Sequence, residues 1–150
     1  MPFPAVVRER AIAFVPALAI LAVFATGGAT VAAQQSDGLP RVRPDNALIA
    51  TTIARATGQS VTFRALIDAI DATDGLVYVE EGRCRRGVRA CLSLSLVIAG
   101  PHRVLRILVD PRKSPGCELA VSIGHELQHA LEVLSNVHVR SSSQMFHFVH

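Results

Sequence analysis

The chain has 150 residues, half of them hydrophobic, with no Trp, one Tyr and three Cys. That length allows one domain of ordinary size and excludes two comfortable ones. The net charge of +3, carried almost entirely by arginine with Lys113 as the one lysine, is too small a surplus to imply nucleic acid as a partner.

The N-terminus reads as an address. Arg8 and Arg10 form a short basic region, residues 11–24 are an uncharged apolar run, and Val31-Ala32-Ala33 places small residues before Gln34 as a cleavage site would. Residues 1–33 are therefore predicted to be a signal peptide, and the chain to be exported to the periplasm or the extracellular space. The alternative is a retained membrane anchor over residues 11–33, although the run is short for a span and Pro16 interrupts it. Residues 34–46, polar and broken by Pro40 and Pro44, read as a linker, and a domain is expected from 47 to 150.

From Ala47 the period is helical. A helix is predicted over 47–56, with Gly58 near its end. A second follows Ser60 as N-cap, with Phe63, Leu66, Ile67 and Ile70 on one face. Asp74-Gly75 punctuates it, and residues 76–80 are β-rich. Cys84 and Cys91 then flank a short Gly- and Arg-rich turn, with Arg85, Arg86 and Arg89 inside it and Arg83 just before it. In an oxidising compartment those two cysteines are the natural disulfide pair. Cys117 is left over at the start of a helix; a buried structural thiol is expected there, the alternative being a thiol acidified by the helix N-terminus and in reach of a metal. The arginine cluster has no interleaved aromatics and so no evident surface for stacking bases; it reads as a solvated basic loop.

Residues 92–98 and 103–109 alternate as strands with one solvated face, separated by Gly100-Pro101. Three strands on short turns predict an antiparallel or mixed sheet in place of a βαβ winding. After the loop Ser114-Pro115-Gly116, a long helix is expected over 117–135. Leu119, Ile123, Leu127, Ala130, Leu131 and Leu134 give it a wide apolar face to lie against a sheet, and Glu118 sits in the first turn, where the helix dipole favours it. The pattern fades after Asn136, leaving a tail without an assigned structure.

That last helix carries His125-Glu126-Leu127-Gln128-His129, an HExxH motif. Residues four apart lie about 40° apart around a helix, so both imidazoles can be directed at one point, as two ligands of a tetrahedral zinc ion require. Glu126 is about 100° from His125 and about 60° from His129. From that edge of the face it reaches a zinc-bound water more readily than the ion, and can take the water's proton as general base. Gly124 and Ala130 are read as leaving room beside the metal.

The motif resembles the zincin superfamily of metallopeptidases. More loosely, residues 47–139 resemble uncharacterised exported bacterial proteins that carry a similar helix, strands and HExxH helix. The resemblance implies a small zincin-like domain in which strands pack on the active-site helix and substrate lies along an edge strand beside the metal. It also implies His125 and His129 as ligands and Glu126 as the base. The pattern departs from the family in its third ligand. Glu132 and Ser135 occupy the positions where a metzincin has Gly and His, and no Glu follows Glu132. Glu132 and His138 are the candidates; Glu132 suits an acceptor for an imidazole N–H better than a ligand, being on consecutive turns of the same helix. His147 and His150 lie in the unplaced tail, and the polypeptide stopping short of a third ligand is a further possibility.

These readings predict an α+β domain of about three strands against two or three helices, containing Zn²⁺ and hydrolysing a peptide or protein. No nucleic acid is expected, and a membrane only if the N-terminal segment is retained. The alternative is a non-catalytic exported or membrane-tethered binding domain on the same scaffold with an incomplete metal site.

Overall fold

A computed structural model describes residues 38–149. The signal-peptide and anchor readings, on 1–33 and 11–33, fall outside those residues, as does His150. Among the described residues no helix is long and apolar enough to cross a membrane.

The elements run β1 (Val42–Pro44), α1 (Ala47–Gln59), α2 (Val61–Asp71), β2 (Gly75–Glu81), β3 (Ala90–Leu92), β4 (Val97–Ala99), β5 (His102–Val109), α3 (Cys117–Ser135) and α4 (Ser142–Val149). The fold is α+β: a mixed five-stranded sheet and four helices. Side-chain caps explain where the first two helices begin. Asn46 Oδ1 accepts the Ile49 N–H at 3.0 Å, and Ser60 Oγ accepts that of Phe63 at 3.1 Å. Ser60 also donates its own N–H to the Ala56 carbonyl at 2.8 Å. One residue thus closes α1 and opens α2.

The sheet order is β1-β2-β5-β3, with β4 also on β5. β1 and β2 are parallel, as are β2 and β5, whereas β3 and β4 run antiparallel to β5. The mixed sheet is as expected, but the absence of a βαβ winding is not: α1 and α2 form a crossover between parallel β1 and β2. β1 lies inside the stretch read as linker. Its three residues end in Pro44 and have too little alternation to register as a strand, yet Val42, opposite Val77, is buried.

Residues 92–98 were expected to form one strand and instead form the ends of two. Leu92 pairs with Ile107 and Val97 with Val104. Four residues, 93–96, therefore span the distance that Leu105 and Arg106 cover on β5. Two extra residues thus make a bulge, and bulges bend and twist an edge strand. It turns Leu96 into the core. The freed Leu96 N–H is satisfied by Ser142 Oγ at 3.0 Å, at the start of α4. The tail left unassigned from sequence is that helix, with Met145 buried beneath it.

Residues 103, 105, 107 and 109 of β5 are buried, while Arg106 between them is exposed. The buried side packs with Val77 and Val79 of β2 against Ile49, Phe63 and Ile70, and against Leu119, Ile123, Leu127, Ala130, Val133 and Leu134 of α3, in one core. At Gly75 the sheet comes so close to α3 that a Cβ would overlap the Leu134 side chain, so a side chain there would force Leu134 to repack.

Arg103 is 1% exposed and fully engaged. Its guanidinium donates to Asp74 and to the carbonyls of Val133, Leu134, Asn136 and Val139. The last carbonyls of a helix have no intrahelical partner and carry its negative dipole end. A strand arginine therefore serves as the C-terminal cap of α3 and fixes that helix to the sheet.

Candidate metal centre

α3 spans 117–135, as the sequence predicts, and its faces divide the work. One packs on the sheet; an adjacent one carries His125, His129 and Glu132, with both His129 and Glu132 about half exposed. The two imidazoles meet edge to face with Nε2 atoms 3.2 Å apart. Two nitrogens bound at about 2.0–2.1 Å to one tetrahedral zinc ion would be roughly 3.3 Å apart, so the pair has the spacing that shared ligation demands.

Glu132 lies on the far side of His129. Its Oε2 is 3.0 Å from Nδ1, and its Oε1 is 3.4 Å from the Gln128 amide nitrogen. The imidazole hydrogen bond, followed by that of Gln128, holds the Glu132 carboxyl below its ordinary value. An ionised carboxylate only accepts, so Nδ1 of His129 is the donor in this bond and Nε2 is the nitrogen that faces His125. Of the two roles open to Glu132, the geometry is that of an imidazole acceptor.

Glu126 sits between the core face and the histidine face and is buried. Its Oε2 accepts the Leu92 N–H at 2.7 Å. On either side of β3, Arg89 accepts the N–H of Asp110, just past β5, and Ser93 donates its N–H to the Arg106 carbonyl of β5. Alternation then directs the backbone groups of Ala90 and Leu92 away from β5, and Leu92 meets Glu126 there. Two hollows open on either side of this carboxylate. His125 shares one of about 420 Å³ with Gly87, Arg89 and Val121. His129 shares the other, of about 600 Å³, with Leu94, Glu132, Phe148 and Val149. Glu126 lines both.

Several expectations change. Among the described residues no three His, Cys, Asp or Glu side chains converge closely enough to hold a metal ion together. His138 is exposed beyond the C-terminus of α3, with its N–H on Asn136 Oδ1 at 3.1 Å, and His147 is exposed on α4. Gly124 does not make room for a metal. A Cβ there would lie 3.3 Å from the Phe63 ring, so Gly124 allows α2 and α3 to approach, and Ala130 is fully buried in the core. Cys117 is a free thiol but exposed, not buried. It opens α3 about 160° from the direction of Leu119 by way of the outer face. Cys84 and Cys91 form the expected disulfide, with Cα atoms 5.9 Å apart.

Three contributors escaped the sequence reading. Leu92 acts through its backbone N–H, which leaves no residue-type signal. Phe148 and Val149 belong to a helix whose short Met-Phe-His-Phe-Val run has no clear period. Comparison with protein-family models, curated proteins and solved structures finds no match to this chain.

Proposed function

We propose that this chain is an exported zinc-dependent hydrolase, of metallopeptidase type, with His125 and His129 as metal ligands and Glu126 as general base. The observation that carries the reading is the 3.2 Å approach of the two Nε2 atoms, with Glu132 on the opposite nitrogen of His129. The two histidines fit the ion in donor type and spacing, and among the described residues no third side-chain ligand joins them. When bound, zinc polarises a carbonyl and lowers the pKa of a coordinated water towards 7.

The chain's own groups supply the rest. Glu132 fixes the His129 tautomer and turns the ring. The Leu92 N–H holds one oxygen of Glu126, orienting the carboxylate where the two hollows meet; the other oxygen is left to accept a proton. The outward N–H and C=O groups of Ala90 and the Leu92 carbonyl on the sheet edge offer an extended peptide a backbone to pair with. Small zincin-like architecture is part of this proposal, supported by an edge strand alongside the HExxH helix.

Peptide-library hydrolysis with zinc supplied tests it. Glu126→Gln should retain zinc and lose hydrolysis by about a hundredfold or more, and His125→Ala should lose both. Retained hydrolysis in Glu126→Gln removes the base role. Zinc binding without any hydrolysis by the native chain favours the non-catalytic binding domain.

A further inference from the structure

Resting on that reading of the site, we propose that the arginine loop between Cys84 and Cys91 selects acidic peptides, drawing their Asp and Glu side chains to the end of the cleft beside His125. The loop is closed by the disulfide and leads directly into β3. Its later residues, Gly87, Val88, Arg89 and Ala90, wall the hollow that contains His125 and Glu126. Charge placed on it is therefore charge placed at the mouth of the site.

That charge is not neutralised. Arg89 pairs with Glu118 at 2.7 Å, with both side chains about half exposed. Arg83, Arg85 and Arg86 are exposed and have no ion pair among the described residues. The neighbouring turn adds Arg112 and Lys113 on Asp110, and Asp110 donates its N–H to the Arg89 carbonyl at 2.9 Å. Segments 83–89 and 110–118 thus bring together six cations and two carboxylates, a local excess of four. The whole chain has a net charge of only +3. The acid nearest in sequence, Glu81, precedes the loop at the end of β2.

A cleft rimmed by one sign of charge concentrates ligands of the other and speeds their capture. Among anionic ligands, the structure favours a peptide. The outward backbone groups of Ala90 and Leu92 continue from the loop along the sheet edge and match an extended chain. The loop carries no aromatic residue on which a base could stack.

The test is fluorescence anisotropy of the full chain in its Glu126→Gln form, which separates binding from turnover. The probes are a labelled peptide rich in Asp and Glu, and the same peptide with Asn and Gln in their place. At low ionic strength the acidic peptide should bind about tenfold more tightly, and the preference should shrink as salt is added. Arg83→Gln/Arg85→Gln/Arg86→Gln should abolish the preference, with circular dichroism unchanged; Arg55→Gln on α1 should leave it intact. Equal binding of the two peptides, or a preference that survives the triple substitution, overturns the proposal. So does equally tight, loop-dependent binding of a single-stranded oligonucleotide or of phosphatidylserine vesicles, since the loop would then be a general anion surface. Hydrolysis by the native chain is read separately. Acidic preference without cleavage removes the hydrolase and leaves the surface, whereas cleavage without preference removes the surface and leaves the hydrolase.

Discussion

Single residues decide how the site is held. Glu132 does not face the point between the two imidazoles; it fixes His129 from behind, through Nδ1. Partners of this kind typically change metal affinity by about 10–100-fold when removed. Glu132→Gln should therefore weaken zinc binding within that range, measured by calorimetric titration, while leaving thermal unfolding of the metal-free chain nearly unchanged because the side chain is exposed. Arg103 has the opposite profile. It touches nothing in the site, yet it caps the helix that carries it. Arg103→Met would leave the carbonyls of Val133, Leu134, Asn136 and Val139 without this donor, and would leave Asp74 with Arg140 at 3.8 Å. Leaving buried acceptors without a partner costs about 1–3 kcal/mol, so a denaturant titration should lose at least that much stability.

At the scale of elements, the important relation is between β3 and α3. β3 is short, sits at the sheet edge and ends in a bulge, and its Leu92 holds the candidate base. Its N-terminal end is anchored by the disulfide, whose seven-residue separation closes a small loop. By the loop-entropy relation, such a closure is worth about 2–3 kcal/mol. Cys84→Ser/Cys91→Ser should lower the unfolding free energy by that amount and should raise hydrogen exchange at the Leu92 amide more than at the β5 amides. An equally protected Leu92 amide would mean that Glu126 alone holds the strand.

The elements also show what the sequence could and could not reveal. α3 was legible to both boundaries because its apolar positions keep a helical period for five turns, and α2 because Ser60 caps it. The disulfide was legible from the spacing of Cys84 and Cys91 around a short turn. β1 was not, because three residues that end in a proline have no measurable alternation. The break at 93–96 was hidden since Leu92-Ser93-Leu94-Ser95-Leu96 alternates through the bulge, and only the unequal spans on β5 and the Ser142 contact disclose it. The burial of Arg103 was invisible for a related reason: its five donors find their acceptors 29–36 residues away. In the site, the histidine pair followed from helix geometry alone, whereas Gly124 and Ala130 were misread because helix packing, not the metal, requires them to be small.

Over the whole molecule, a one-sided core places three helices on the sheet and leaves the histidine face of α3 open to solvent beside the sheet edge. The arrangement brings two imidazoles, a held carboxylate and an unpaired strand edge to one place. Its central claim is that this place binds zinc. The most direct measurement is a zinc titration of the purified chain, followed by calorimetry to saturation, with His125→Ala and His129→Ala alongside. The account predicts one zinc per chain at saturation, unchanged stoichiometry in Glu126→Gln, and a loss of affinity of about tenfold or more in either histidine variant. A native chain that takes up no zinc, or one whose affinity is the same without His125 or His129, would contradict it.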